Sequence, residues 1–124
     1  MFGIAQQTQA PADLIKDGTE ASFMKDVIEE SKTVPVIVDF WAPWCGPCKT
    51  LGPALEAAVT AAKGKVKLVK IDVDKAQALS AQLRIQSIPT VALFVGGREL
   101  ERASGALPLP ALRQFVEGAR QRVN

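Results

Sequence analysis

The feature that most constrains the fold is a buried-looking strand that gives way to helical spacing within a few residues. Residues 34–40 read Val-Pro-Val-Ile-Val-Asp-Phe, a near-continuous apolar run typical of a strand covered on both faces. From Cys45 onward, apolar residues recur about every 3.6 residues, which is the period of a helix. A strand therefore passes directly into a helix, and the segment Trp-Cys-Gly-Pro-Cys at 44–48 stands at the junction.

The two cysteines at this junction, Cys45 and Cys48, are the only ones in the chain, and there is no histidine. A thiolate at a helix N-terminus faces unpaired N–H groups and the positive end of the helix dipole, which lower its pKa. Two cysteines this close can also form and reopen a disulfide. They are too few for a disulfide scaffold or a structural zinc site, so the sequence indicates a redox centre.

Composition indicates an ordinary globular domain with no nucleic-acid or membrane partner. The chain has 124 residues, 48% of them hydrophobic and 23% charged, with a net charge of +2 and both signs interspersed. No apolar run approaches the roughly 20 residues needed to span a bilayer, and the start lacks a signal-peptide pattern. We expect a cytoplasmic protein with a flexible arm at 1–12 and one domain at 13–124.

The hydrophobic patterns predict the order β-α-β-α-β-α-β-β-α, with a mixed central sheet covered by helices. Strands alternating with helices in the first half favour parallel pairing, and Gly96-Gly97 favours a closing hairpin. Asp17, Gly18 and Thr19 predict a turn, residues 104–106 predict a loop, and Leu109 is predicted on the buried face of the last helix. The predicted strands cover 14–16, 34–40, 66–73, 91–95 and 98–102, and the predicted helices cover 20–31, 45–64, 75–83 and a stretch that follows Pro108 and Pro110.

Three stretches together resemble the thioredoxin family. Residues 41–49 read Trp-Ala-Pro-Trp-Cys-Gly-Pro-Cys-Lys, Asp39 precedes them, and Ile-Pro-Thr stands at 88–90. The resemblance spans about 14–117 and implies an α/β thioredoxin fold whose mixed sheet has helices on both faces. It also implies a protein-disulfide reductase that works by dithiol–disulfide exchange and helps to keep cytosolic thiols reduced.

The same resemblance implies no bound cofactor or metal, a monomer, and electrons from NADPH through thioredoxin reductase. Protein disulfides would be the substrates. The alternative is the thioredoxin domain of a holdase-type redox chaperone, in which case chaperone clients would also be partners.

The resemblance assigns the exchange to four residues. Cys45 would be the partly exposed nucleophile, and Cys48 the deeper resolving thiol. Asp39 would take the Cys48 proton, since burial raises the pKa of such a carboxyl, and Lys70 on the neighbouring strand would be its partner. Alternatively, Asp39 is kept for a salt bridge, and Lys70 reaches from the strand to solvent.

The predicted substrate-binding residues form a flat apolar surface beside the cysteines. Pro89 matches the proline that is cis in this family and would place the Ile88 backbone beside Cys45 for strand-like pairing with substrate; a trans turn proline is the alternative. Asp72 and Asp74 are more simply solvated acids at a strand end than metal ligands. The expected surface consists of Trp44, Gly46, Pro47, Ile88, Pro89, Gly105 and Ala106.

Overall fold

A mixed β-sheet forms the centre of the fold. The computed structural model describes residues 14–122, so the arm expected at 1–12 lies outside the described residues. Within this range the strands are β1 (Ile15–Gly18), β2 (Val36–Trp41), β3 (Lys67–Asp72), β4 (Thr90–Val95) and β5 (Arg98–Ser104). They lie side by side in the order β1-β3-β2-β4-β5. The pairs β1–β3 and β2–β3 are parallel, whereas β2–β4 and β4–β5 are antiparallel, which confirms the mixed sheet and its closing hairpin.

Among residues 14–122, three α-helices and one irregular helix pack around the sheet. They are a π-helix (Met24–Glu29) that continues as a 3₁₀ turn (Glu30–Lys32), α1 (Gly46–Ala61), α2 (Gln77–Gln82) and α3 (Leu109–Arg120). The regular helix expected over 20–31 is therefore wrong in form and in length. Its end is tied to the β4–β5 turn, because the buried Ser31 hydroxyl donates to the Ile28 carbonyl and accepts from the Gly97 N–H, both at 2.9 Å.

The strands bury alternate residues on opposite faces, as the pleat of a sheet requires. Ile37 and Leu68 pack in a cluster with residues of α1 and α3. Val38 and Phe40 pack on the other face, in a cluster that includes residues of the π-helix and α2. The expected helices on both faces are thus confirmed. Asp39 has the same parity as Ile37, so it lies on the face covered by α1 and α3.

Several local predictions are wrong at element ends. Asp17 and Gly18 belong to β1 instead of a turn, and Ser104 is the last residue of β5 instead of part of a loop. Gly18 is suited to its place because a Cβ there would lie 2.6 Å from Val69 Cγ1 on the paired strand. Leu109 is 48% exposed because it opens the first turn of α3, ahead of the buried Leu112.

Helix α1 runs without interruption through Pro53. It stops shortly before Gly64, whose φ of +89° lies in the left-handed region that favours glycine. Within residues 14–122, no helix is both long and apolar enough to cross a membrane.

Candidate active site

The cysteine pair lies where β2 hands over to α1. Cys45 is the N-cap residue of α1 and has an extended backbone, with φ −87° and ψ 109°. Pro47 occupies the first helical turn, where its missing N–H leaves no helical bond unmade. Cys45 and Cys48 form a disulfide with Cα atoms 5.3 Å apart, and the Cys48 N–H donates to Cys45 Sγ at 3.2 Å. A helix-opening N–H therefore points at the sulfur expected to act as nucleophile, as a thiolate requires.

Both cysteines are buried in this disulfide-bonded form, and each is 4% exposed. The expectation of a partly exposed Cys45 above a deeper Cys48 is thus wrong here. The reason is local packing, because the two cysteines form a small cluster with buried Ala42, against which Trp41 and Ile88 also pack.

Asp39 lies in the middle of β2 and is 1% exposed. Among the residues the structure describes, its Oδ1 is the buried side-chain oxygen for which no hydrogen-bond partner is found. Burial raises the pKa of Asp39 from 3.8 to about 6; the Lys70 charge opposes this rise, and the Glu56 charge adds to it. A carboxyl that titrates near neutral pH can both accept and return a proton.

Lys70 is the strand neighbour of Asp39, since the two residues are paired in the parallel register of β2 and β3. Its direct partner is nevertheless Glu56 of α1: Lys70 Nζ donates to Glu56 Oε2 at 2.8 Å and stands 5.3 Å from the centre of the Trp41 ring. Although burial acts to lower the Lys70 pKa, the bond to Glu56 together with the negative charges of Glu56, Asp39 and Asp17 raises it overall. As predicted, Lys70 lies on the neighbouring strand and its charge favours ionised Asp39, but its direct ion pair is with Glu56 and not with Asp39.

Glu56 was missed by the sequence reasoning. One signal was available, because Cys48, Gly52 and Glu56 follow each other at intervals of four and so share one side of a helix. That side is the one that carries Cys48, the cysteine expected to resolve the mixed disulfide.

Trp44 is 68% exposed, and its indole is oriented by one hydrogen bond. Its Nε1 donates to Asp74 Oδ2 at 2.7 Å, and the Asp74 N–H donates to Asp72 Oδ1 at 2.9 Å. Asp72 and Asp74 at the end of the strand are therefore linked by a hydrogen bond, and Asp74 also binds the Trp44 indole. The sequence did not predict this contact. Over residues 14–122, no group of three or more histidine, cysteine, aspartate or glutamate side chains could hold a metal ion.

The segment before β4 lies against the cysteines. The Ile88–Pro89 peptide bond is cis, and Ile88 packs on the Cys45–Cys48 cluster. The Gly105 N–H donates to the Pro89 carbonyl at 2.8 Å, which brings the end of β5 beside the same segment. Gly46, Pro47 and Ala106 are exposed.

A groove lies between α1 and α3, away from the cysteines. This groove of about 570 Å³ is lined mainly by apolar residues, among them Ala57, Ala61, Leu109 and Val116. None of the predicted site residues lines it. The groove is thus separate from the cysteine junction.

Comparisons with known proteins agree with this geometry. The family model described as Thioredoxin matches residues 15–118. The chain is 39% identical over 99 residues to thioredoxin 1 of Nostoc sp., which covers 80% of this chain and 91% of the relative. It is 42% identical over 97 residues to the thioredoxin of Haemophilus influenzae, covering 78% and 89%. An M-type thioredoxin of Chlamydomonas reinhardtii, named as chloroplastic, is 40% identical over 109 residues, covering 88% and 74%.

A solved structure supports the fold. A mutant thioredoxin from Halobacterium salinarum superposes with a TM-score of 0.76 at 31% identity, covering 90% of this chain and 96% of that one. The sheet order, the disulfide at the start of α1 and the matched family model all lead to one assignment. The chain belongs to the thioredoxin family of protein-disulfide oxidoreductases, whose Cys-x-x-Cys centre serves dithiol–disulfide exchange.

Proposed function

We propose that this chain reduces protein disulfides in the cytoplasm with electrons that come from NADPH through thioredoxin reductase, and that it acts as a monomer without a bound cofactor. The observation that carries the proposal is the placement of Cys45 as the N-cap of α1, with the Cys48 N–H directed at its sulfur. A reducing compartment, where disulfides of other proteins do not persist, is the natural setting for such a dithiol.

In the reduced protein, the Cys45 thiolate attacks one sulfur of a substrate disulfide. A mixed disulfide forms, and the other substrate sulfur leaves as a thiolate. Cys48 then gives its proton to Asp39 and attacks Cys45 Sγ. The bond between Cys45 and the substrate breaks, the second substrate sulfur leaves as a thiolate, and the Cys45–Cys48 disulfide remains. The protein loses two electrons, and the substrate gains two.

The substrate is proposed to lie across the surface made by Trp44, Ile88 and Gly105, with Pro47 and Ala106 at its margin. Trp44 offers an exposed ring, and the bond to Asp74 fixes its orientation. The Ile88–Pro89 segment packs on the cysteines and could pair with an extended substrate backbone next to Cys45.

The test is insulin-disulfide reduction, with dithiothreitol as the electron source and separately with thioredoxin reductase and NADPH. Rapid turnover with both sources is the expected result. The matched variants are Cys45→Ser, which should be inactive, and Cys48→Ser, which should accumulate a mixed disulfide on Cys45. Turnover with neither source, or no trapped adduct with Cys48→Ser, would contradict the exchange mechanism.

The chaperone alternative predicts a different outcome in the same experiments. A redox-active chaperone domain would be reduced by dithiothreitol but not by the reductase, and it would suppress aggregation of an unfolded client. A Cys45→Ser, Cys48→Ser double variant separates the two functions, because holding a client needs no thiol.

A further inference from the structure

We propose that Glu56 is a positioning residue for disulfide exchange: it holds the Lys70 ammonium against α1 and so leaves the Asp39 carboxyl without a direct cationic partner. This inference rests on the proposed function of Asp39 as the base for Cys48. It assigns a role to a residue that the cysteine motif does not include.

The strand register places Lys70 beside Asp39. Asp39 and Lys70 are paired on the adjacent strands β2 and β3, on the face covered by α1. A lysine beside a buried carboxylate would ordinarily form an ion pair with it, because an unpaired buried charge is costly. Here the lysine makes its hydrogen bond elsewhere, to Glu56 Oε2 at 2.8 Å. Among the described residues, Asp39 Oδ1 is left without a hydrogen-bond partner.

Two contacts hold the ammonium in place. Besides the carboxylate of Glu56, the face of the Trp41 ring lies 5.3 Å from Lys70 Nζ, which is a cation–π distance. The side chains of Lys70 and Glu56 are 22% and 37% exposed, so the pair lies partly out of solvent at the edge of the helix–sheet interface. The Lys70 ammonium is thus fixed in a position directed to Glu56 and Trp41, and not to Asp39.

The charges around this group come from three elements. The Lys70 ammonium interacts with Glu56 of α1, with Asp39 of β2 and with Asp17 of β1. On its other side, Asp39 is paired with Val91 of β4, which carries no charge. Glu56 is therefore the one of these acids that both bonds the lysine and adds its own negative field at Asp39.

The consequence concerns the proton step. A carboxylate in an ion pair with an ammonium is a weaker base, and its oxygens are occupied. With Lys70 held by Glu56, Asp39 stays a base strong enough to accept the Cys48 proton near neutral pH. The Cys48 thiolate then attacks Cys45 Sγ, the sulfur–sulfur bond to the substrate breaks, and the substrate leaves as a thiolate. Glu56 touches none of these atoms; it acts on Asp39 by holding Lys70 and by its own negative charge.

The experiment measures the resolving step in Glu56→Ala across pH. A mixed disulfide of Cys45 with a chromophoric thiol is formed, and release of that thiol is followed by stopped flow from about pH 5 to about pH 9. The Asp39 titration is followed in parallel by carboxyl ¹³C NMR. The matched control is Glu30→Ala, which breaks the Lys67–Glu30 ion pair at 2.7 Å, formed by a lysine three residues earlier on the same strand.

In Glu56→Ala, the apparent pKa of Asp39 should fall by about one pH unit, and release at neutral pH should slow by about threefold. In Glu30→Ala both quantities should stay at their wild-type values. Glu56→Asp, which keeps the charge, should recover most of the loss. A merely structural role of Glu56 would lower stability without moving the pH profile, and that result would overturn the inference.

Asp39→Asn separates this inference from the proposed function. If Asp39→Asn fails to slow release, the assignment of Asp39 as base is wrong, and the inference about Glu56 fails with it. If Asp39→Asn slows release while Glu56→Ala follows the wild-type profile, the inference about Glu56 fails alone. Adding Glu56→Ala to Asp39→Asn should change nothing further, and an additional loss there would mean that Glu56 acts by another route.

Discussion

Asp39→Asn should make this protein more resistant to unfolding at neutral and alkaline pH, although it replaces a residue of the proposed active site. The carboxyl is 1% exposed and lacks a hydrogen-bond partner on Oδ1 among residues 14–122. Keeping it ionised in the fold is therefore costly, and asparagine removes the charge while nearly preserving the shape.

The magnitude follows from the pKa. Burial raises the folded-state pKa of Asp39 from 3.8 to about 6, so the folded protein binds more protons than the unfolded chain between these values. Stability must then fall as pH rises through this window and level off above it. At about 1.4 kcal/mol per pH unit, the wild type should lose about 2.5 kcal/mol relative to Asp39→Asn between about pH 4 and about pH 8.

The assay is urea unfolding of both oxidised proteins, followed by far-ultraviolet circular dichroism at several pH values. The quantity of interest is the change with pH of the difference between the two proteins, because the fixed cost of burying an amide cancels in it. Glu117→Gln is the control of opposite sign: Arg120 lowers the pKa of Glu117, so this variant should lose stability at neutral pH, not gain it. Parallel curves for Asp39→Asn and the wild type from about pH 4 to about pH 8 would refute the reasoning.

Three further predictions concern packing and the substrate surface. Gly18→Ala should cost about 1–3 kcal/mol in urea unfolding because its Cβ would lie 2.6 Å from a side chain of β3, whereas Gly118→Ala, with nothing within 4 Å, should be neutral or stabilising by up to about 1 kcal/mol. Leu112→Ala should cost about 2–5 kcal/mol, since the side chain is 1% exposed between α3 and the sheet, and a loss below about 1 kcal/mol would contradict its place in the core. Trp44→Phe, which removes the bond to Asp74, should raise the KM for a protein disulfide about threefold in the insulin assay with little change in stability, and an unchanged KM would exclude Trp44 from substrate binding.

The sequence predicted those strands and helices in which apolar residues recur at one regular spacing. The apolar run at 34–40 became β2, and the spacing that begins at Cys48 became the buried face of α1. The π-helical form of the first helix was not predicted, and neither was the tertiary contact at its end. Ser31 binds the β4–β5 turn, 66 residues away from it in the chain at Gly97, and no local pattern records that bond.

In the site, too, features set by the local sequence pattern were predicted, and features set by tertiary contacts were not. The positions of Cys45, Cys48 and Asp39 follow from the junction of strand and helix, and they lie where the sequence predicted them. The sequence does not determine the ion-pair partner of Lys70, because a long side chain on a strand can reach several nearby acids. The choice of Glu56 over Asp39 depends on how α1 lies across β3, which is set by packing and not by spacing.

The outer strand β5 bears on how an open edge of the sheet is kept from pairing with other chains. An open sheet edge invites foreign strands to add to it and begin a fibre. Four of the seven residues of β5 are charged, and Arg102 binds Glu99 at 2.6 Å along that edge. A second chain that paired there would have to strip water from these charges. The opposite edge strand, β1, has only four residues, so few backbone groups are available there for pairing with another strand. Strand-like pairing with another chain is thereby discouraged along both margins of the sheet.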